Sequence, residues 1–177
     1  DIIVAVLDTG IDLGLGDYPI HPDLMQNIWT DSEGNYGLNA YAWYLNEVVG
    51  EPDPNEDVHV PQDRNGHGTH VSGTIAAVNN NIIGVPSVVG GWNDNGVVTP
   101  GCKVLPIRCG PYGLYFSAIW KGLHYAYENG ASVINMSFGG QYNEYPSAFD
   151  WLHSSIIDIY NNYENRPIVP IMIASAG

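Results

Sequence analysis

An unbroken apolar run, Ile2-Ile3-Val4-Ala5-Val6-Leu7, ends at Asp8-Thr9-Gly10 and limits the fold more than any other stretch of the chain. The run does not alternate with polar residues. It therefore fits a strand covered on both faces, as in a parallel sheet beneath helices, rather than one with a wet side. An acid at the carboxyl end of such a strand lies where α/β folds place their sites. Asp8 is placed there to accept a hydrogen bond from a histidine Nδ1–H, fixing its tautomer and stabilising the cation. A carboxylate that only caps the following turn is the competing role.

Further strands are expected at Lys103–Ile107 and, buried, at Ala131–Ser137, with a final apolar strand at Ile168–Ala174. Helical spacing appears from His67 through Val78, from Ser117 (as N-cap) to the Asn129-Gly130 stop, and from Ser147 to about Tyr163. Strands alternating with helices imply a three-layer α/β sandwich with a mostly parallel central sheet. The chain's 177 residues make one domain with no interdomain linker. Residues 30–61 look like a long surface insertion holding a short strand at Tyr41–Leu45, and Gly90–Gly96 like an exposed loop. Cys102 and Cys109 flank a strand that rises about 3.3 Å per residue, so they stand too far apart to bridge. The aromatics of the Ser117–Asn129 helix and His124 read as packing.

The second constraint is Arg64-Asn65-Gly66-His67-Gly68-Thr69-His70-Val71-Ser72-Gly73-Thr74. Glycines on both sides of His67 let the backbone come close to other groups and take dihedrals other residues avoid. A histidine bared in this way at the mouth of a helix is placed as a general base. His70, three residues on, lacks a third ligand spaced for a metal and is expected to pack. Asp63, just ahead of the block, is taken as structural. Five basic residues against 19 acidic ones give a net charge of −14 and exclude nucleic acid and anionic membranes as partners. No apolar run reaches the length of a membrane span. The chain opens inside a strand with no signal peptide in view, so its natural amino end is expected upstream.

Four blocks in order, Asp8-Thr9-Gly10-Ile11-Asp12, His21-Pro22-Asp23-Leu24, His67-Gly68-Thr69-His70-Val71-Ser72-Gly73-Thr74 and Val133-Ile134-Asn135-Met136-Ser137-Phe138-Gly139-Gly140, resemble the subtilisin-like serine peptidases. The resemblance covers residues 1–177 but only the amino-terminal part of that family's catalytic domain, leaving the fold incomplete on its C-terminal side. It implies a serine endopeptidase in which Asp8 orients His67, with polypeptide substrates and, as an optional partner, a propeptide. It implies substrate contacts at Tyr112, Gly113 and Leu114 on one wall of a cleft and at Ser137, Phe138 and Gly139 on the other. No cofactor is needed for the chemistry. A structural Ca²⁺ is implied at Asp23 with Asn80 or Asn81; an extra residue in the loop leaves that choice open. Asp12 and Asp17 are further oxygen ligands on the same loop.

The family's oxyanion asparagine and nucleophilic serine blocks do not occur in this sequence, so the 177 residues alone are expected to be inactive. The complete protein is expected to be a secreted or cell-surface peptidase. The alternative is an inactive relative that binds peptides or calcium. An aspartic peptidase shares Asp8-Thr9-Gly10, but would need all-β patterning and a second such triplet. A nucleotide-binding domain would need a glycine-rich phosphate loop after a strand, which is missing.

Overall fold

The computed structural model describes residues 2–14, 19–139, 146–161 and 169–175. In chain order the elements are β1 (Ile3–Asp8), β2 (Leu38–Asn39), α1 (Ala40–Tyr44), α2 (His67–Ala76), β3 (Gly91–Asp94), β4 (Val97–Pro100), β5 (Lys103–Arg108), α3 (Phe116–Glu128), β6 (Val133–Met136), α4 (Pro146–Asn161) and β7 (Ile171–Ala174). The main sheet runs β2-β5-β1-β6-β7, and every neighbouring pair is parallel. β1 lies in the middle, in register with β5 from Ile3↔Lys103 to Asp8↔Arg108.

The unbroken apolar run of β1 is explained by its two covered faces. Val4 and Val6 pack with Val71, Ile75 and Ala76 of α2, while Ala5 and Leu7 pack with Ala118, Ile119, Leu123 and Ala126 of α3. The sheet thus carries α2 on one face and α3, with α1 and α4, on the other, giving the expected three layers. The chain leaves β1 by way of α2 to reach β5, then returns by way of α3 to β6 on the opposite side of β1. Where consecutive connections depart to opposite faces, the carboxyl ends of the strands part and leave a crevice. Asp8 closes β1 at that point.

Several local expectations need correction. Tyr41–Leu45 is not a strand: residues 40–44 form α1, continued by a π-turn over Leu45–Val49. The Asn39 side chain caps α1 by accepting from the Ala42 N–H at 3.1 Å, which outweighs the β preference of the tyrosines and tryptophan. Nor is 30–61 only a surface insertion, because Leu38, Asn39, Ala40 and Ala42 are buried and β2 extends the sheet. The Gly90–Gly96 stretch belongs to an antiparallel hairpin, β3 and β4, turned by Asn95 (φ 49°) and Gly96 (φ 93°). α3 begins at Phe116, with Tyr115 rather than Ser117 at its cap. Tyr115 stacks on Tyr44 at 4.9 Å and packs against Tyr41 at 5.1 Å, which sets where the helix is entered. Both cysteines are free and buried, as expected. Within the last expected helix and strand, residues 162–168 lie outside the described residues.

Candidate active site

Asp8 is the last residue of β1 and only 1% exposed, whereas the His67 side chain, first in α2, is 52% exposed. His67 Nδ1 stands 2.7 Å from Asp8 Oδ1. A carboxylate can only accept, so Nδ1 carries a proton, and in the neutral imidazole this leaves Nε2 with the lone pair of a base. Asp8 Oδ1 also accepts from the Thr9 N–H at 2.7 Å, while Oδ2 is buried without a partner among the described residues.

Glycines make this approach geometrically feasible. Gly66, in the left-handed region at φ 99°, turns the chain into α2. A Cβ on Gly68 would fall 2.2 Å from the Gly10 carbonyl oxygen and 3.2 Å from Asp8 Cβ. That clash is with backbone, which cannot swing aside. Gly68→Ala is therefore expected to destabilise the fold by about 3 kcal/mol and to lengthen the Asp8–His67 contact, measured by denaturant unfolding and by the His67 imidazole NMR signal.

A second layer ties the Asp8 loop to α2. Thr9 Oγ1 accepts from the Gly68 N–H at 3.0 Å and donates to Asp63 Oδ1 at 3.0 Å. Asp63 Oδ1 also accepts from the N–H groups of Asn65 and Gly66, and Oδ2 from the Thr69 N–H and hydroxyl. Burial by itself raises this carboxyl's pKa. The Thr69 hydroxyl and the Gly66, Asn65 and Thr69 N–H groups outweigh it and hold the group below the usual carboxylate range. The structural role expected of Asp63 is thus borne out in its hydrogen bonds.

The six residues expected on the cleft walls come together here. Tyr112, Leu114, Ser137 and Phe138 line a cavity of about 250 Å³ with Asp8, Thr9, Asn65 and His67. Tyr112, Gly113, Leu114, Phe138 and Gly139 also border an adjoining, mainly apolar cavity of about 680 Å³, backed by Phe116, Phe149 and Ile156. Ser137 Oγ accepts from Asn135 Nδ2 at 2.9 Å. Cys109, close behind Asp8, is fully buried; burial first, and then the Asp8 charge, push its thiol pKa far up, which makes it inert.

A sequence profile of the subtilase family matches residues 1–177, the full length of the chain. The chain belongs to the subtilase family. This subtilase is 33% identical over 159 residues to the extracellular basic protease of Dichelobacter nodosus, covering 78% of this chain and 24% of that protein. It is 37% identical over 138 residues to subtilisin BL of Lederbergia lenta, covering 77% and 36%. The subtilase chain therefore spans between a quarter and roughly a third of these relatives' lengths. Among solved structures it is similar to the epidermin leader peptide processing serine protease of Staphylococcus aureus, with a TM-score of 0.64 at 26% identity over 99% of this chain and 37% of that one. The nisin leader peptidase of Lactococcus lactis, at 24% identity, 98% and 42% coverage and a TM-score of 0.60, shares the fold.

The residues expected around calcium are only partly brought together in this subtilase. Asp23, 1% exposed, accepts from Asn81 Nδ2 at 2.7 Å and from the Val85 N–H at 3.1 Å. Asn81 Oδ1 is taken by the Ile83 N–H, so Asn81 turns its NH₂, and not its oxygen, to the carboxylate. Asn80 turns away and donates to the Asn93 carbonyl at 2.7 Å. Asp12 accepts from the Gly14 N–H and Gln62, and Asp17 lies outside the described residues. Among the described residues no three His, Cys, Asp or Glu side chains gather as a metal site. In this arrangement Asp23 is satisfied by N–H donors, and a calcium ion, which needs oxygens, would require the Asn81 amide to turn its Oδ1 inward.

One further expectation fails, and one feature went unseen in the sequence. His70 does not pack but is exposed, bordering a cavity of about 760 Å³ with Asp12 and His21. Fully buried Arg108 pairs with Glu56, which also accepts from Asn39 Nδ2 and stands 3.8 Å from Arg64. Glu56 and Arg108 lie 52 positions apart, and no local motif joins them.

Proposed function

We infer that this chain supplies two members of the catalytic triad of a serine endopeptidase, with the nucleophilic serine taken from sequence outside these 177 residues. The observation that carries the reading is the 2.7 Å contact between a buried carboxylate at the sheet's switch point and an exposed histidine opening α2. A serine hydroxyl is a weak nucleophile until a base takes its proton. In this reading His67 Nε2 takes that proton and returns it to the leaving amine, while Asp8 holds the Nδ1 tautomer and stabilises the imidazolium. Acid, base and nucleophile are all side chains, so the chemistry needs no metal. A structural Ca²⁺ at Asp23 is a separate expectation, checked by calorimetric titration of Ca²⁺ into metal-free protein.

The substrate class is polypeptide. The Tyr112–Leu114 segment and Ser137–Gly139 form the two walls along which an extended chain would lie, and the 680 Å³ cavity would take a bulky apolar side chain. The activity of relatives named as proteases supports this reading, and the Dichelobacter relative, named as extracellular, supports secretion or surface display.

The test is made on the intact natural protein. Its mass well above 19.3 kDa, with a fluorophosphonate labelling one serine and the label lost in His67→Ala, is the expected result. Peptide binding without labelling would replace this reading with that of an inactive, peptide-binding relative.

A further inference from the structure

The chain contains three Asn-Gly pairs, Asn65-Gly66, Asn95-Gly96 and Asn129-Gly130. In such a pair the following backbone nitrogen reaches the asparagine side-chain carbonyl with no Cβ in the way, which makes asparagine chemically labile. The three pairs are not equivalent here. At Asn65 the His67 N–H donates to Oδ1 at 3.3 Å, so the carbonyl that would be attacked already has a donor for a developing oxyanion. The Gly66 N–H, the prospective nucleophile, donates to Asp63 Oδ1 at 2.9 Å, a carboxylate placed to take its proton. Both Asn65 and Gly66 are exposed, so water reaches the pair. At Asn95 and Asn129 the side-chain amides donate to Asp94 and to the Tyr125 carbonyl, and neither side-chain carbonyl has a donor among the described residues.

We propose that Asn65 is a self-modification site, converted through a succinimide to aspartate and isoaspartate two residues ahead of His67. The Gly66 nitrogen bonds to Asn65 Cγ as its proton passes to Asp63. The Cγ–Nδ2 bond then breaks, and Asp63 returns the proton to the departing nitrogen, which leaves as ammonia. One water opens the ring at either carbonyl, giving aspartate or isoaspartate, and nothing is oxidised or reduced. Isoaspartate moves a methylene into the main chain immediately before Gly66-His67. Both products add a carboxylate to the wall of the 250 Å³ cavity that Asn65 lines. The reaction itself does not depend on the catalytic role proposed for His67; only its consequence for activity does.

The test holds the purified protein in mildly alkaline buffer, with parallel samples in urea. Peptide mapping follows replacement of the side-chain NH₂ by OH, and methyltransferase labelling follows isoaspartate. In the folded protein Asn65 is expected to convert several-fold faster than Asn95 and Asn129. In urea that lead disappears, and Asn65→Gln removes the signal at this position alone. Conversion of Asn65 no faster when folded than in urea, or slower than that of Asn95, would overturn the proposal. Since the readout is covalent and not enzymatic, it is independent of whether the protein cleaves peptides.

Discussion

Asp63→Asn is expected to cost about 2–4 kcal/mol of folding free energy, lowering Tm by roughly 6–12 °C. The substitution conserves shape, so no cavity contributes. What changes is hydrogen-bonding capacity. The carboxylate accepts five hydrogen bonds: from the Thr9 hydroxyl and the Asn65 and Gly66 N–H groups at Oδ1, and from the Thr69 N–H and hydroxyl at Oδ2. The least costly orientation of an amide puts its NH₂ at the Oδ2 position, where the Thr69 hydroxyl can rotate to accept. The Thr69 N–H cannot, and remains unpaired. The bonds that survive at Oδ1 lose their charge assistance. Because the folded-state carboxyl lies below its ordinary pKa, its contribution is fully present above about pH 4 and lost as pH falls through the folded value. The stability gap between wild type and variant should therefore close in acid. Chemical denaturation at neutral pH and at successively lower pH measures both effects, and a gap that stays constant into acid would show that Asp63 does not act through its charge.

What could be read in the sequence follows from how local each feature's cause is. β1 was legible because a strand buried on both faces must be apolar throughout, and Val4 to Leu7 meet that demand without help from the rest of the chain. The His67 turn was legible because Gly66 and Gly68 each answer a local requirement, one a positive φ and the other contact with Gly10. α1 was not, since Tyr41, Trp43 and Tyr44 favour strands in isolation. Their helix is decided by the Asn39 cap and by packing against α3. The β3–β4 hairpin carried a readable signal in Asn95-Gly96, but its strands show no clean alternation to go with it. Asp63 drew notice only by its position before the histidine block. Its partner Thr9 is 54 residues away, and that hydrogen bond exists only because β1 and α2 are folded together. The Arg108–Glu56 pair was illegible for the same reason.

Asp8→Asn, made in the intact natural protein, is expected to reduce kcat by about 10⁴-fold, the loss that removal of this charge gives in serine-peptidase triads, with little change in KM. The geometry explains why so small a substitution should matter so much. Asp8 Oδ1 accepts from both the Thr9 N–H and His67 Nδ1. If the amide oxygen stays in that place, Nδ1–H keeps its acceptor, but the imidazolium formed during proton transfer loses its counter-charge. If the amide turns, its NH₂ faces Nδ1, the proton moves to Nε2, and the base is lost. Stability should change little. Removing the buried charge relieves a desolvation cost, but the amide NH₂ then occupies the Oδ2 position, where no acceptor stands among the described residues, and the two effects oppose each other. A burial-driven loss of fold would lower Tm and kcat together. Steady-state kinetics beside calorimetry separates the two: a large fall in kcat at little-changed Tm supports Asp8 as the residue that orients His67. A fall in Tm that accounts for the lost activity would assign Asp8 to structure alone.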